Sequence, residues 1–242
     1  MKEQIHLLSD VALTFPNVDE ALTEPNGLLA VGGNLQQDTI LHAYRKGIFP
    51  WFGDDEPILW WSPDPRMVLQ PQNIAISKSM KKMFIKNIFR IRFDSSFEQV
   101  VEQCAKPRSY TDQTWITKEM RQAYNTLHSS GYAHSAEAWE GDELVGGLYG
   151  VAIGKVFFGE SMFSKKSNAS KMAFISLCQH LQHWQFQLID CQVYTPHLQS
   201  LGASTISRHA FVKLLDFYCP QTPCNANWKA HGPTGHPNPA SP

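Results

Sequence analysis

Residues His134 to Ser161 read HSAEAWEGDELVGGLYGVAIGKVFFGES. Apolar runs are broken at Glu140-Gly141-Asp142 and at Ile153-Gly154-Lys155, where glycine takes the positive φ that tight hairpins demand. The stretch therefore predicts three strands in a meander. Downstream, Phe174, Leu177, Leu181 and Trp184 recur at helical spacing behind Asn168, the expected cap. Leu188-Ile189-Asp190-Cys191-Gln192-Val193 reads as a short buried strand. A brief helix ending at Leu201-Gly202 follows, then a last helix carrying Phe211, Leu214 and Leu215. Upstream, Phe97, Val100, Val101 and Cys104 share one helical face, and Met120, Tyr124 and Leu127 share another behind a Thr117 cap.

Helices, a meander, a helix, a strand and a closing helix follow the order of a GNAT-type acyltransferase domain, a likeness of fold that does not by itself give a function. The first third of the chain is different, being aromatic and rich in turns such as Glu24-Pro25-Asn26-Gly27 and Val31-Gly32-Gly33-Asn34. There Asp38 is the expected cap of a helix with Ile40, Leu41 and Tyr44 on its apolar face and Gly47 as its stop. Pro57, Pro63 and Pro65 mark a boundary. The expectation is an α+β protein: a small N-terminal α/β domain over 1–63, a GNAT-like catalytic domain with a mixed, mostly antiparallel sheet over 64–224, and a loosely ordered tail over 225–242.

Composition excludes more than it assigns. The 242 residues are 43% hydrophobic and 18% charged, with a net charge of −1, so any case for nucleic acid rests on charge distribution. Five scattered cysteines, an odd number, favour reduced buried thiols in the cytosol over a disulfide framework. The N-terminus lacks a signal-peptide pattern, and no apolar run approaches the ~18 residues that span a bilayer. A soluble, cytoplasmic protein is expected. Neither a P-loop nor Gly-x-Gly-x-x-Gly occurs, so no nucleotide cofactor is indicated. Between Glu160 and Ala173 the glycine-rich loop that cradles the CoA pyrophosphate in acetyltransferases is missing. Cys219, Cys224, His231 and His236 are spaced like no compact zinc site, so no metal is expected.

Three features can carry chemistry. Alternation along the strand puts Asp190 and Gln192 on one face and Cys191 on the other, and a buried acid and amide need partners. Glu160 ends an apolar strand, where it can steer a cationic group or help organise an amine. Gly159-Glu160-Ser161 lacks the second glycine of a nucleophile elbow, which excludes that serine hydrolase pattern. Lys78, Lys81, Lys82, Lys86, Arg90 and Arg92 fall within 15 positions with no acid between them, either as a solvated face or as a phosphate-binding patch. Trp51, Trp60, Trp61 and Trp115 lie in loop-like sequence, where a flat ring can stack on a base.

Strings along the whole chain resemble one family, the leucyl/phenylalanyl-tRNA–protein transferases. They are Glu24-Pro25-Asn26-Gly27-Leu28-Leu29-Ala30, Tyr44-Arg45-Lys46-Gly47-Ile48-Phe49-Pro50-Trp51-Phe52, Trp60-Trp61-Ser62-Pro63-Asp64-Pro65-Arg66, Thr114-Trp115-Ile116-Thr117, Glu143 to Val151, Phe158 to Ser164 and Leu188 to Gln192. The resemblance implies a small N-terminal domain before a GNAT-like one. It implies transfer of Leu or Phe, sometimes Met, from aminoacyl-tRNA to proteins beginning with Lys or Arg, which marks them for N-end rule degradation. Trp51 and Trp115 then match residues that hold the terminal adenosine, and Leu148, Phe157, Leu177 and Ile189 match the pocket for the transferred side chain. Tyr44 and Tyr124 are counted with these substrate-binding residues. Lys78, Lys81, Lys82, Lys86 and Arg90 fall in a region associated with tRNA contact.

The aminoacyl ester is already activated, so the missing nucleotide motif fits this chemistry. The expected catalytic residues are Asp190 and Gln192, which orient the amine and accept or relay its proton, and Glu160, which pairs with a cationic acceptor. A CoA-dependent N-acyltransferase and a non-catalytic RNA-binding protein are the competing readings.

Overall fold

The computed structural model describes residues 5–11, 14–106, 115–224 and 228. Two sheets organise the chain. The smaller contains β1 (His6–Leu8), β2 (Leu28–Gly32), β3 (Phe49–Pro50) and β4 (Leu59–Trp61) in the order β1-β2-β4-β3, with α1 (Gln37–Arg45) between β2 and β3. The larger has seven strands: β5 (Arg66–Leu69), β6 (Arg90–Phe93), β7 (Ala133–Glu140), β8 (Glu143–Ile153), β9 (Val156–Ser164), β10 (Leu188–Gln192) and β11 (Ser204–Ile206). Their order is β11-β5-β10-β9-β8-β7-β6. Every neighbouring pair in this sheet is antiparallel except β9 and β10. The architecture is α+β, and the meander of β7, β8 and β9 turns at the two glycine breaks expected for it.

The sheet is covered on both faces, which explains why β7 and β8 are buried nearly throughout. On one face lies α5 (Ala169–His183), whose Met172, Phe174, Leu177 and Leu181 pack with Met67, Leu148, Phe157 and Ile189. On the other face α3 (Phe97–Cys104) and α4 (Lys118–Ser129) pack with Tyr149, Val151 and Phe158. That second cluster continues into the small sheet through Ile40, Tyr44, Ile48 and Trp60. The two sheets thus share one apolar core.

Several helix ends differ from expectation. Asp38 lies in the first turn of α1 and Gln36 holds the cap position without a side-chain capping bond; Asn34 Oδ1 braces the approach by accepting from Gln36 N and Thr39 Oγ1. Gly47, at φ +77°, ends the turn after α1. Asn168 does stand at the cap of α5, but in the left-handed region without a side-chain capping bond, and Ser164 Oγ accepts from Ser170 N instead. Thr117 caps α4 through Met120 N. The start of α3 is held from another strand: the buried Glu137 carboxylate accepts from Ser95 N and Ser96 N, an anion on a helix N-terminus. Trp60 and Trp61 belong to β4 rather than to a loop, and Trp60 is fully buried with Nε1 donating to Gly32 O.

The basic run forms α2 (Lys78–Ile85) and β6, with α6 (Pro196–Ser200) and α7 (Arg208–Tyr218) completing the set. Of the tail, the described residues include only Trp228, which is buried and stacked on His134 at 4.0 Å. The remaining expectation for 225–242 lies outside the described residues, as do His231, His236 and Thr114. Among the described residues, no helix is long and apolar enough to cross a membrane.

Arg66 ties the fold together. It is fully buried at the start of β5, where Nε donates to Asp190 Oδ1 at 2.8 Å and Nη2 to Oδ2 at 2.6 Å. Nη1 donates to Gly47 O at 3.1 Å, and the guanidinium lies between the rings of Phe49 and Phe211, 4.7 and 4.6 Å from their centroids. Truncating one partner of such a pair strands a buried charge. Arg66→Met is therefore expected to cost about 3–5 kcal/mol in urea unfolding, with much of that recovered by adding Asp190→Leu.

Candidate active site

The site is made by a strand pair that stops pairing. β9 and β10 run parallel through Leu188 with Val156, Ile189 with Phe157 and Asp190 with Phe158, and no pair follows. Beyond that point the strands part, and a cleft of about 490 Å³ opens between them. Two local features mark the parting. Gly159 carries no side chain just where the backbone leaves Asp190, whose O would lie 3.4 Å from a Cβ there. On β10, the register against β5 shifts between Asp190 and Gln192, which pair with the adjacent Val68 and Met67. Cys191 is thus the extra residue of a bulge, and Gln192 adopts φ +61°. Simple alternation predicted that Asp190 and Gln192 share a face. The bulge, with a left-handed residue at its end, breaks that alternation: the Asp190 carboxylate turns to Arg66 and the Gln192 amide to Glu160.

The two polar groups on β10 have different jobs. Asp190 is wholly buried, with both oxygens on Arg66. Its Oδ1 also accepts from Gln192 N at 2.9 Å, which pins the bulge. Gln192 turns its side chain to Glu160, with Nε2 3.2 Å from Oε1. Glu160 further receives Tyr44 Oη on Oε1 and Tyr124 Oη on Oε2, each at 2.6 Å. Desolvation raises the Glu160 carboxyl to about 7; the tyrosine hydrogen bonds oppose that rise, and the Asp190 charge adds to it. The phenols of Tyr44, Tyr124 and Tyr149 lie well above their ordinary value, chiefly through burial and then the nearby Glu160. Burial likewise pushes up the Cys191 thiol, which disfavours a thiolate nucleophile.

The cleft wall is apolar around this floor. Leu148, Met162, Phe174, Ile189 and Leu198 line it, with Trp51 and Trp115 among the residues nearer the small sheet. Trp51 is half-exposed and meets Trp61 edge-on at 5.5 Å, and Trp61 Nε1 donates to Trp51 O. Of the expected pocket residues, Leu148 and Ile189 line the cleft. Phe157 and Leu177 are buried in the same apolar cluster without lining it. Tyr44 and Tyr124 do not line the cleft either, but hold Glu160 from beneath. Lys78, Lys81, Lys82, Lys86 and Arg90 are all exposed, whereas Arg92 lies over the Trp139 ring at 5.1 Å.

Sequence reasoning gave no role to Arg66, although a lone cation leading the apolar run Met67-Val68-Leu69 is a readable sign of a buried ion pair. It also passed over Tyr149, Met162 and Phe174 as cleft residues, for which alternation alone offers no signal. Among the described residues, Asp94, His128 and His134 bring ligand-type atoms within 4.8 Å of one another. These groups are already engaged: His134 Nδ1 lies 2.7 Å from Asp94 Oδ2, and His128 Nδ1 lies 2.8 Å from Ala133 O.

Comparison with known proteins places this geometry. A family model described as leucyl/phenylalanyl-tRNA protein transferase matches residues 68–216, and the model of that family's N-terminal domain matches residues 33–64. A leucyl/phenylalanyl-tRNA–protein transferase of Pseudomonas syringae pv. syringae is 53% identical over 219 residues, covering 90% of this chain and 95% of its own. That of Hahella chejuensis is 55% identical over 207 residues, covering 86% and 88%. Among solved structures, a GCN5-related N-acetyltransferase from Anabaena variabilis matches at 12% identity with a TM-score of 0.40, over 73% of this chain and 42% of its own. L-PGS from Bacillus licheniformis matches at 12% with a TM-score of 0.37, over 71% and 57%. Likenesses that loose decide nothing. The sequence matches, which cover both parts of the chain at over half identity, do: the chain belongs to the leucyl/phenylalanyl-tRNA protein transferase family.

Proposed function

We propose that this protein transfers Leu or Phe, and less readily Met, from aminoacyl-tRNA to the N-terminal α-amine of proteins that begin with Lys or Arg, marking them for N-end rule degradation in the cytoplasm. The reading is supported most by one observation: Glu160 and Gln192 meet at the floor of an apolar cleft that opens where two parallel strands part.

The transferred side chain sits against Leu148, Met162, Phe174 and Ile189, with Phe157 and Leu177 filling the cluster around them. Trp51 and Trp115 offer flat faces to the terminal adenosine. The exposed cations Lys78, Lys81, Lys82, Lys86 and Arg90 meet the tRNA backbone. Glu160 receives the cationic acceptor, and Gln192 holds the reacting amine through its amide. The acceptor α-ammonium, with an ordinary pKa of ~7.7–8.0, gives its first proton to the Glu160 carboxylate, a well-matched exchange for a group near 7. The neutral amine attacks the ester carbon, the C–N bond forms and the C–O bond to the ribose breaks. The nitrogen's second proton ends on the departing ribose oxygen. Asp190, locked on Arg66, takes no proton: it positions Gln192 through the backbone bond that pins the bulge.

Purified protein, leucyl-tRNA and two peptides beginning with Arg and with Ala test this, with no nucleotide or CoA present. Label is expected only on the Arg peptide, and binding of the tRNA without transfer would instead indicate an RNA-binding protein. Glu160→Gln is expected to lower kcat/KM by about 10²–10⁴ and to abolish the limb of the rate profile that rises through pH 7. The same substitution has a stability signature. A carboxyl raised on folding contributes stability below its ordinary pKa, and that contribution is lost as pH rises through about 7. Wild-type stability should therefore decline across this range more steeply than that of Glu160→Gln, as read in melts at a series of pH values. For the basic helix, a Lys81→Gln/Lys82→Gln double variant should raise KM for tRNA and make its log–log salt dependence shallower by roughly 1.4–1.8.

A further inference from the structure

Beneath the cleft, three oxygen–oxygen contacts close a triangle. Tyr44 Oη lies 2.6 Å from Glu160 Oε1, Tyr124 Oη lies 2.6 Å from Glu160 Oε2, and the two phenol oxygens lie 2.7 Å apart. Oxygens held that close need a proton between them. Three contacts need three protons, and two phenols carry two. If both phenols point at an ionised carboxylate, the tyrosine oxygens face each other at 2.7 Å with nothing between them, in a buried place where such a contact is costly. The third proton has one source, the carboxyl of Glu160.

The contacts also say which oxygen carries it. Oε1 already accepts from Tyr44 and from Gln192 Nε2, as a carbonyl oxygen does, while among the described residues Oε2 meets Tyr124 alone. A closed ring then runs from Oε2–H to Tyr124 Oη, from the Tyr124 hydroxyl to Tyr44 Oη, and from the Tyr44 hydroxyl back to Oε1. Each phenol donates once and accepts once.

We propose that Glu160 rests as a neutral carboxylic acid, the third member of this ring, and that a cationic acceptor N-terminus displaces its proton on entering the cleft. The resting half stands on the triangle alone; the displacement half rests on the proposed function, which makes the cleft's occupant cationic. The groups facing Glu160 act in known directions. Tyr44 from α1 and Tyr124 from α4, where they donate, favour ionisation; Gln192 from β10 bonds it; Tyr149 from β8 lies close by; Asp190 from β10 opposes its ionisation; and Arg66 from β5 favours ionisation but is engaged by Asp190. Desolvation, the largest influence on the carboxyl, acts with the ring.

When the cation arrives, the Oε2 proton leaves to water in the cleft. Tyr124 turns its hydroxyl to Oε2, and the carboxylate faces the ligand with two charge-assisted donors behind it. The base is thus made by the substrate it serves. An acceptor with a Lys or Arg side chain brings a second positive charge to drive this change, whereas one beginning with Ala brings only its ammonium and leaves most of Glu160 protonated.

Infrared spectroscopy of the free protein reads the resting state directly. At a pH below neutral, a protonated-carboxyl stretch should be present, should shift when the protein is grown on isotopically labelled glutamate, and should be missing from Glu160→Gln. A saturating Arg-led peptide at the same pH should abolish the band, and an Ala-led peptide should leave most of it. Tyr124→Phe, which opens the ring, should move both the frequency and the titration midpoint of the band; a merely structural tyrosine would move neither. A free protein without the band, or a band that survives the bound Arg peptide, overturns the proposal. Transfer measured on the same samples separates the two readings. Activity without the band sinks the ring alone, and the expected band without transfer sinks the proposed function alone.

Discussion

A buried ion pair governs the arrangement of this protein. Arg66 and Asp190 are both withdrawn from water, a state tolerable only because each hydrogen-bonding group of the pair has a counterpart. The requirement propagates. To engage the third guanidinium nitrogen, the turn after α1 must present Gly47 O; to cover the guanidinium faces, Phe49 and Phe211 must arrive from the small sheet and the last helix. To use its remaining capacity, Asp190 takes the amide of Gln192 and so fixes the bulge that aims a side chain at Glu160. Small sheet, large sheet and site are set by one electrostatic obligation.

The site draws its character from dryness as much as from its groups. Glu160 on the surface would be an ordinary carboxylate; here burial brings it close to the range in which an α-amine titrates. The phenols that hold it come from α1 and α4, one beside each sheet, so the shared core is also what shields the carboxyl. The open side belongs to the strand split, where the pairing of β9 with β10 ends at Asp190 and Gly159 adds no side chain to the gap.

Much of this was legible in the residues, for identifiable reasons. The meander from His134 to Ser161 showed itself through glycine turns, and α5 through its apolar period, because both depend on neighbours close in sequence. Asp190, Gln192 and Glu160 stood out because polar groups in apolar strands are expensive. What escaped depends on distance. Arg66 and Asp190 are 124 residues apart, and Glu137 reaches across the sheet to the start of α3. The bulge at Cys191 is set by the register against β5, which no local pattern records. Tyr44 and Tyr124 read as apolar stripes because their rings are core. Only their oxygens, at the far ends, belong to the site.

The strand order has a consequence for how the molecule comes into being. β5 is made early, yet its partners in the sheet are β10 and β11, which follow more than a hundred residues later. A chain growing from its N-terminus therefore holds β5, with its leading arginine, unpaired until β10 and β11 have emerged. Such long-range pairing is slow. It also means that the cleft cannot exist before β10 has been made: a nascent chain that stops short of Gln192 has no seat for charged tRNA.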